Sequence, residues 1–88
     1  MNRVKPILDR LKIVPTDSWI TLHKYKKNEQ PDNCYYYTFK HNGTTYCVSG
    51  DSISLVFSSE KSLAPIYMGY DTNKLEQAIK RIIKKEKK

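Results

Sequence analysis

The stretch from Cys34 to Phe57 reads as three short β-rich runs broken at Asn42-Gly43 and at Gly50-Asp51. Asn-Gly between two such runs marks a type I′ hairpin, because both central residues of that turn need a positive φ. Gly50-Asp51 is read as a second two-residue turn on the same ground. The first turn pairs His41 with Thr44, Phe39 with Tyr46 and Tyr37 with Val48. The second pairs Ser49 with Ser52, Val48 with Ile53, Tyr46 with Leu55 and Thr44 with Phe57. Opposed residues share a face of the sheet. One face therefore collects Tyr35, Tyr37, Phe39, Tyr46, Val48, Ile53, Leu55 and Phe57, with Tyr46 at its centre. The other collects Tyr36, Thr38, Lys40, Thr45, Cys47, Ser49, Ser52, Ser54 and Val56.

On either side the period changes. Val4, Ile7, Leu8 and Leu11 fall at the i, i+3, i+4, i+7 spacing of a helix face. Asn2 is placed to cap that helix, Pro6 sits in its first turn, and Pro15 is expected to end the segment. Thr16-Asp17-Ser18 reads as a turn and Trp19 to Lys26 as a strand. Its Ile20 and Leu22 are set inward, although Trp19 on the opposite face weighs against that choice. Lys27 to Asn33 is a polar loop. Ser58 to Ala64 is a Ser-rich connection, and Pro65 to Tyr70 is either a fifth strand or a crossover. Asp71 is a helix N-cap, with Tyr70 and Leu75 spaced as a hydrophobic staple. Leu75, Ala78, Ile79, Ile82 and Ile83 then form one apolar stripe. The expected fold is a single α+β domain over residues 1–88. It has an antiparallel meander of four or five strands, with an N-terminal and a C-terminal helix on one face.

Composition changes this picture in two ways. Eighty-eight residues suffice for one sheet and two helices but leave little room for a deep catalytic cleft. The net charge of +7 is uneven, with seven basic residues against two acids in 74–88 and two against five in 28–73. An anionic partner met through the helices is expected. The N-terminus lacks the apolar core of a signal peptide and no run is long enough for a membrane span, so a cytoplasmic protein is expected. Abundant Lys, Ile, Asn and Tyr suit AT-rich codons, as in a low-GC bacterium or its phages.

Cys34 and Cys47 are expected to be free thiols. Cys47 opposes Thr38, and Thr38 lies four residues, or ~13 Å of strand, from Cys34. Bridged Cα atoms lie within about 7 Å. Cys34, Cys47, His23 and His41 lack metal-ligand spacing, so no metal site is assigned. No nucleophile elbow, phosphate loop or dinucleotide fingerprint is present, and neither catalytic residues nor a cofactor nor a small-molecule substrate is expected.

What remains is basic and aromatic. Lysine side chains neutralise phosphates and release counterions, giving sequence-independent affinity. Lys80, Arg81, Lys84, Lys85 and Lys88 of the last helix are the main candidates for nucleic-acid contact, and Lys24, Lys26 and Lys27 form a second patch. Trp19 and Tyr36, with Tyr25 nearby, are candidates for stacking on bases. The run Ile66-Tyr67-Met68-Gly69-Tyr70-Asp71-Thr72, between a meander and a helix, resembles sheet-plus-helix DNA-binding domains of the integrase-arm type. The likeness is confined to that run, and no contact residue is carried over from it. The expected function is a small basic nucleic-acid-binding protein. The alternative is a phage- or mobile-element-type accessory protein that binds a host protein through exposed aromatics or a free strand edge.

Overall fold

The computed structural model describes residues 2–23 and 32–85. In chain order these form α1 (Lys5–Arg10), β1 (Asp17–His23), β2 (Asp32–His41), β3 (Thr44–Gly50), β4 (Leu55–Ser59), β5 (Tyr67–Gly69) and α2 (Thr72–Lys85). The strands make one antiparallel sheet in the order β1-β2-β3-β4-β5, an α+β arrangement. Pro65 to Tyr70 thus supplies a fifth strand.

Asn42-Gly43 behaves as expected. Asn42 has φ 51° and Gly43 φ 78°, and the pairs His41–Thr44, Phe39–Tyr46 and Tyr37–Val48 all form. The second hairpin differs. Gly50 stays inside the sheet, paired to Leu55, and the loop runs over Asp51 to Ser54. Val48 faces Phe57 and Tyr46 faces Ser59, instead of Ile53 and Leu55. Ser49 pairs with Val56 instead of Ser52, and Ile53 is exposed in the loop.

The cause is the Asp51 side chain. Its Oδ1 accepts from the Ile53 N–H at 2.8 Å, the Ser54 N–H at 2.7 Å and the Ser54 hydroxyl at 3.3 Å. The Asp51 N–H donates to the Ser54 carbonyl at 3.0 Å. Asp51 is almost fully buried, and the Arg3 guanidinium donates to its carbonyl. Such an Asx-centred loop outcompetes a two-residue turn. Gly50 serves packing and not the turn. A Cβ there would lie 2.6 Å from Leu55 Cδ2 and 2.9 Å from Val4 Cγ2. Because the pairing moves by an even number of residues, Leu55 and Phe57 keep their face. Asp51→Ala should strand two loop amides and destabilise the protein by ~2 kcal/mol, read as a lower urea midpoint. An unchanged midpoint would mean that the carboxylate does not hold the loop.

One buried cluster joins Val4, Ile7 and Leu8 of the N-terminal segment to Leu75 and Ile79 of α2 through Tyr37, Phe39, Tyr46, Val48, Leu55 and Phe57. Its aromatic centre is Phe57, with ring centroids 5.7 Å from Tyr46 and 6.3 Å from Phe39. Val4, not Asn2, occupies the N-cap position of α1, and Asn2 Oδ1 accepts from the Val4 and Lys5 amides, both at 3.1 Å, just ahead of the helix. The helix ends before Pro15. Lys12 adopts φ 59°, the Lys12 amide bonds Asp9 O, and the Ile13 amide bonds Leu8 O at 2.9 Å. That is a Schellman cap with lysine at the position glycine usually holds.

The first strand begins earlier than expected. Asp17 and Ser18 belong to β1 and pair with Thr38 and Tyr37. The expected extension through Lys26 lies outside the described residues. Ile20 opposes Tyr35, which places it and Leu22 on the Tyr35 and Tyr37 face. Both are exposed, since no β1 side chain among the described residues joins the buried cluster and α2 rests on β4 and β5.

Candidate nucleic-acid interface

The sequence of α2 separates its two faces. Asp71 Oδ1 accepts from the Asn73 amide at 2.9 Å and the Lys74 amide at 3.3 Å, fixing the start of the helix. The staple partner differs from the expectation. Tyr70 is exposed, and Tyr67 secures the entry, its hydroxyl accepting from the Asp71 amide at 3.1 Å. The ring of Tyr67 pairs inward opposite Phe57, whereas Tyr70 falls beyond the sheet. From this start Leu75 and Ile79 are fully buried, and Ala78, Ile82 and Ile83 pack at the margin of the core.

The opposite side carries Lys74, Gln77, Lys80, Arg81 and Lys84, all exposed. Lys74, Gln77, Arg81 and Lys84 follow a 3-4-3 spacing and so form one row along the axis. At ~1.5 Å per residue the row from Lys74 to Lys84 is about 15 Å long. Lys80 flanks it one turn before Lys84. Arg81 stands between two shallow depressions. One is lined by Gln77, Lys80, Arg81 and Lys84, the other by Ile66, Tyr67, Lys74, Gln77, Ala78 and Arg81.

The cations of the N-terminal segment are mostly engaged within the fold. Lys5 pairs with Asp9 at 3.2 Å, and Arg3 donates to the backbone at Asp51 and Tyr70. Arg10 reaches Glu76 at 2.6 Å, and its hydrogen bonds hold the Glu76 carboxyl below the usual carboxylate range. Glu76 is thereby drawn to α1. Among the described residues no ion pair engages Lys74, Lys80, Arg81 or Lys84. The row therefore presents net positive charge, with Glu76 acting on Lys80 through space without a direct ion pair.

The outer aromatics lie elsewhere. Trp19 opposes Tyr36, and their rings stack at 5.2 Å with an interplanar angle of 4°. They alternate with Tyr35 and Tyr37, so they occupy the sheet face away from Tyr37. The same cross-strand row continues through Ser49, Val56 and Met68. Lys40 is the one lysine or arginine in the five strands. The structure therefore brings Lys80, Arg81 and Lys84 together, and Trp19 with Tyr36, but does not unite the two groups. Lys24, Lys26, Lys27 and Lys88 lie outside the described residues, as do the side chain of Lys85 and all of Tyr25. Lys74 is a member of the row that motif reading passes over. Its signal is the i, i+7, i+10 relation to Arg81 and Lys84.

Cys34 and Cys47 are free, and Thr38 opposes Cys47 as expected. Burial pushes both thiols up, away from the thiolate form that a nucleophile needs. Among the described residues no three of His, Cys, Asp and Glu are grouped to hold a metal ion. No helix among them is long and apolar enough to cross a membrane. The chain matches no family model, no curated protein and no solved structure.

Proposed function

We propose that this protein binds double-stranded nucleic acid without catalysing a reaction, and that α2 is its phosphate-contacting surface. The observation that carries the reading is the row Lys74, Arg81 and Lys84 with Lys80 beside it, exposed and without ion pairs among the described residues. Fifteen ångströms of such a row spans about four base-pair steps of ~3.4 Å, enough to meet several phosphates. The depressions beside Arg81 offer its planar guanidinium room for a bidentate phosphate contact. The accompanying fold reading sets both helices on the Tyr37 and Phe57 face, leaving the Trp19–Tyr36 face bare. A sheet face on which Lys40 is the only lysine or arginine among the described residues suits a single strand poorly, since stacking platforms work together with a cationic groove. The proposed setting is the cytoplasm, where both thiols stay reduced.

A labelled mixed-sequence duplex of about 20 base pairs, followed by anisotropy, tests this. With four phosphates neutralised, affinity should fall about 100-fold between roughly 50 and 200 mM salt. Single-stranded DNA should bind more weakly. Absence of duplex binding at the lower salt would end the reading. The second reading, an accessory protein acting on a host protein, is favoured by one observation: Trp19 and Met68 are exposed on the bare face, 43% and 66% respectively. Binding of that kind would persist at ~0.5 M salt, where charge screening is nearly complete.

A further inference from the structure

We propose that β1 is a self-association edge, on which β1 of a second copy pairs antiparallel about Ile20 and joins two sheets into one. The pairing goes beyond the nucleic-acid reading and does not depend on it. Among the described residues β1 has one neighbour, β2, and β5 at the other edge is only three residues long. A strand edge with free backbone groups invites another strand unless lysine, proline, a bulge or shortness protects it. Asp17–His23 has none of these. It is seven residues long, contains neither Lys nor Pro, and pairs with β2 in an unbroken register.

The side chains of β1 favour a copy of itself. Ile20 and Leu22 are 58% and 68% exposed on one face of the strand. Antiparallel pairing about Ile20 sets Ile20 against Ile20 of the second copy, with Leu22 against Ser18 and Trp19 against Thr21. The four aliphatic side chains of two copies then lie side by side. Trp19 meets a β-branched hydroxyl residue, a combination favoured across strands. The two Asp17 carboxylates fall at opposite ends, six residues or ~20 Å apart, outside the ~8–10 Å screening length. Parallel pairing would set them directly opposite one another. Seven residues a side is a small interface, so the dimer is weak and concentration-dependent.

The pairing deepens the proposed function in one respect, and this consequence alone rests on that reading. The two-fold axis stands perpendicular to the sheet, so both copies present the same face to one side. Each α2 lies over β4 and β5. The two β4 strands then lie seven spacings apart and the two β5 strands nine, so at ~4.8 Å per strand the helices stand about 34–43 Å apart, a range whose lower end meets the ~34–36 Å of one duplex turn.

The test uses the full chain without nucleic acid, so its failure leaves duplex binding untouched. In Ile20→Cys the two new thiols would sit across a strand pair with Cα atoms ~4.5–5.5 Å apart, within disulfide range. Mild oxidation should give a covalent dimer in good yield. Met68→Cys, exposed on β5, should give no covalent dimer under the same oxidation, and neither should the wild type. In sedimentation equilibrium the wild type should approach twice the monomer mass as concentration rises. Ile20→Lys with Leu22→Lys should stay monomeric with an unchanged circular dichroism spectrum and melting curve. A wild type that remains monomeric up to ~1 mM, corresponding to less than about 4 kcal/mol of association, would overturn the proposal. Equal cross-linking of Met68→Cys and Ile20→Cys would do the same.

Discussion

Phe57→Ala should destabilise the protein by about 3–5 kcal/mol, the largest stability loss expected of any single truncation here. Phe57 is fully buried and stacks against both Phe39 and Tyr46. It pairs with Val48 on one side and Tyr67 on the other, so its ring lies where β3, β4 and β5 meet. Removing it empties the middle of the cluster, and a closely packed β-sheet relaxes only partly into such a space. A domain of this size holds about 5–15 kcal/mol in total, so urea unfolding at 25 °C should show a substantial unfolded fraction early in the titration. Val56→Ala is the matched control. Val56 is the adjacent residue on the other face and is only partly buried, so its truncation should cost well under half as much. Equal losses at positions 56 and 57 would contradict the observed register.

The comparison between Tyr46 and Phe57 shows what alternation along a chain can and cannot decide. Parity assigns residues to faces, and it placed Tyr37, Phe39, Tyr46, Val48, Leu55 and Phe57 together correctly, as the buried cluster shows. It does not decide which of them is central. That depends on loop length, and the loop after Gly50 is set by hydrogen bonds that Ile53 and Ser54 donate to the Asp51 carboxylate, local contacts that compete with the two-residue turn a Gly-Asp dipeptide suggests. Asn42-Gly43 was legible because its requirement is local, two positive φ values in succession. The start of α2 and its apolar stripe were legible for a similar reason, since capping and the 3.6-residue period act within the helix itself. The exposure of Ile20 and Leu22 was not. It follows from where α2 comes to rest on the sheet, which no pattern within β1 records. Of the candidate site, Lys80, Arg81 and Lys84 could be read from the run of charges. Lys74 required the helical phase, and the distance of Trp19 and Tyr36 from that row required the register of the sheet.

Changing Lys74, Lys80, Arg81 and Lys84 together to Gln should weaken duplex binding by well over tenfold at low salt. Glutamine keeps helix propensity close to that of lysine and arginine, so α2 should form as before. The apolar stripe is untouched, and exposed charges away from a partner contribute little to stability. Folding and binding are therefore separated in this variant, which truncation of the helix could not achieve because Ile82 and Ile83 pack against the core. Trp19→Ala should leave duplex affinity nearly unchanged, because Trp19 stacks on Tyr36 away from the row. Its effect, if the sheet face does take part, would appear with single strands as ~1–3 kcal/mol per stacked base.

The most direct test of the α2 interface is the slope of log K against log salt for the wild type and the four-Gln variant on one duplex. Each phosphate neutralised contributes about −0.9 to that slope. The wild type should therefore be steeper by about three to four units, the number expected if Lys74, Lys80, Arg81 and Lys84 each displace a counterion. Parallel lines for the two proteins would place the phosphate contacts elsewhere and contradict the assignment of α2 as the nucleic-acid surface.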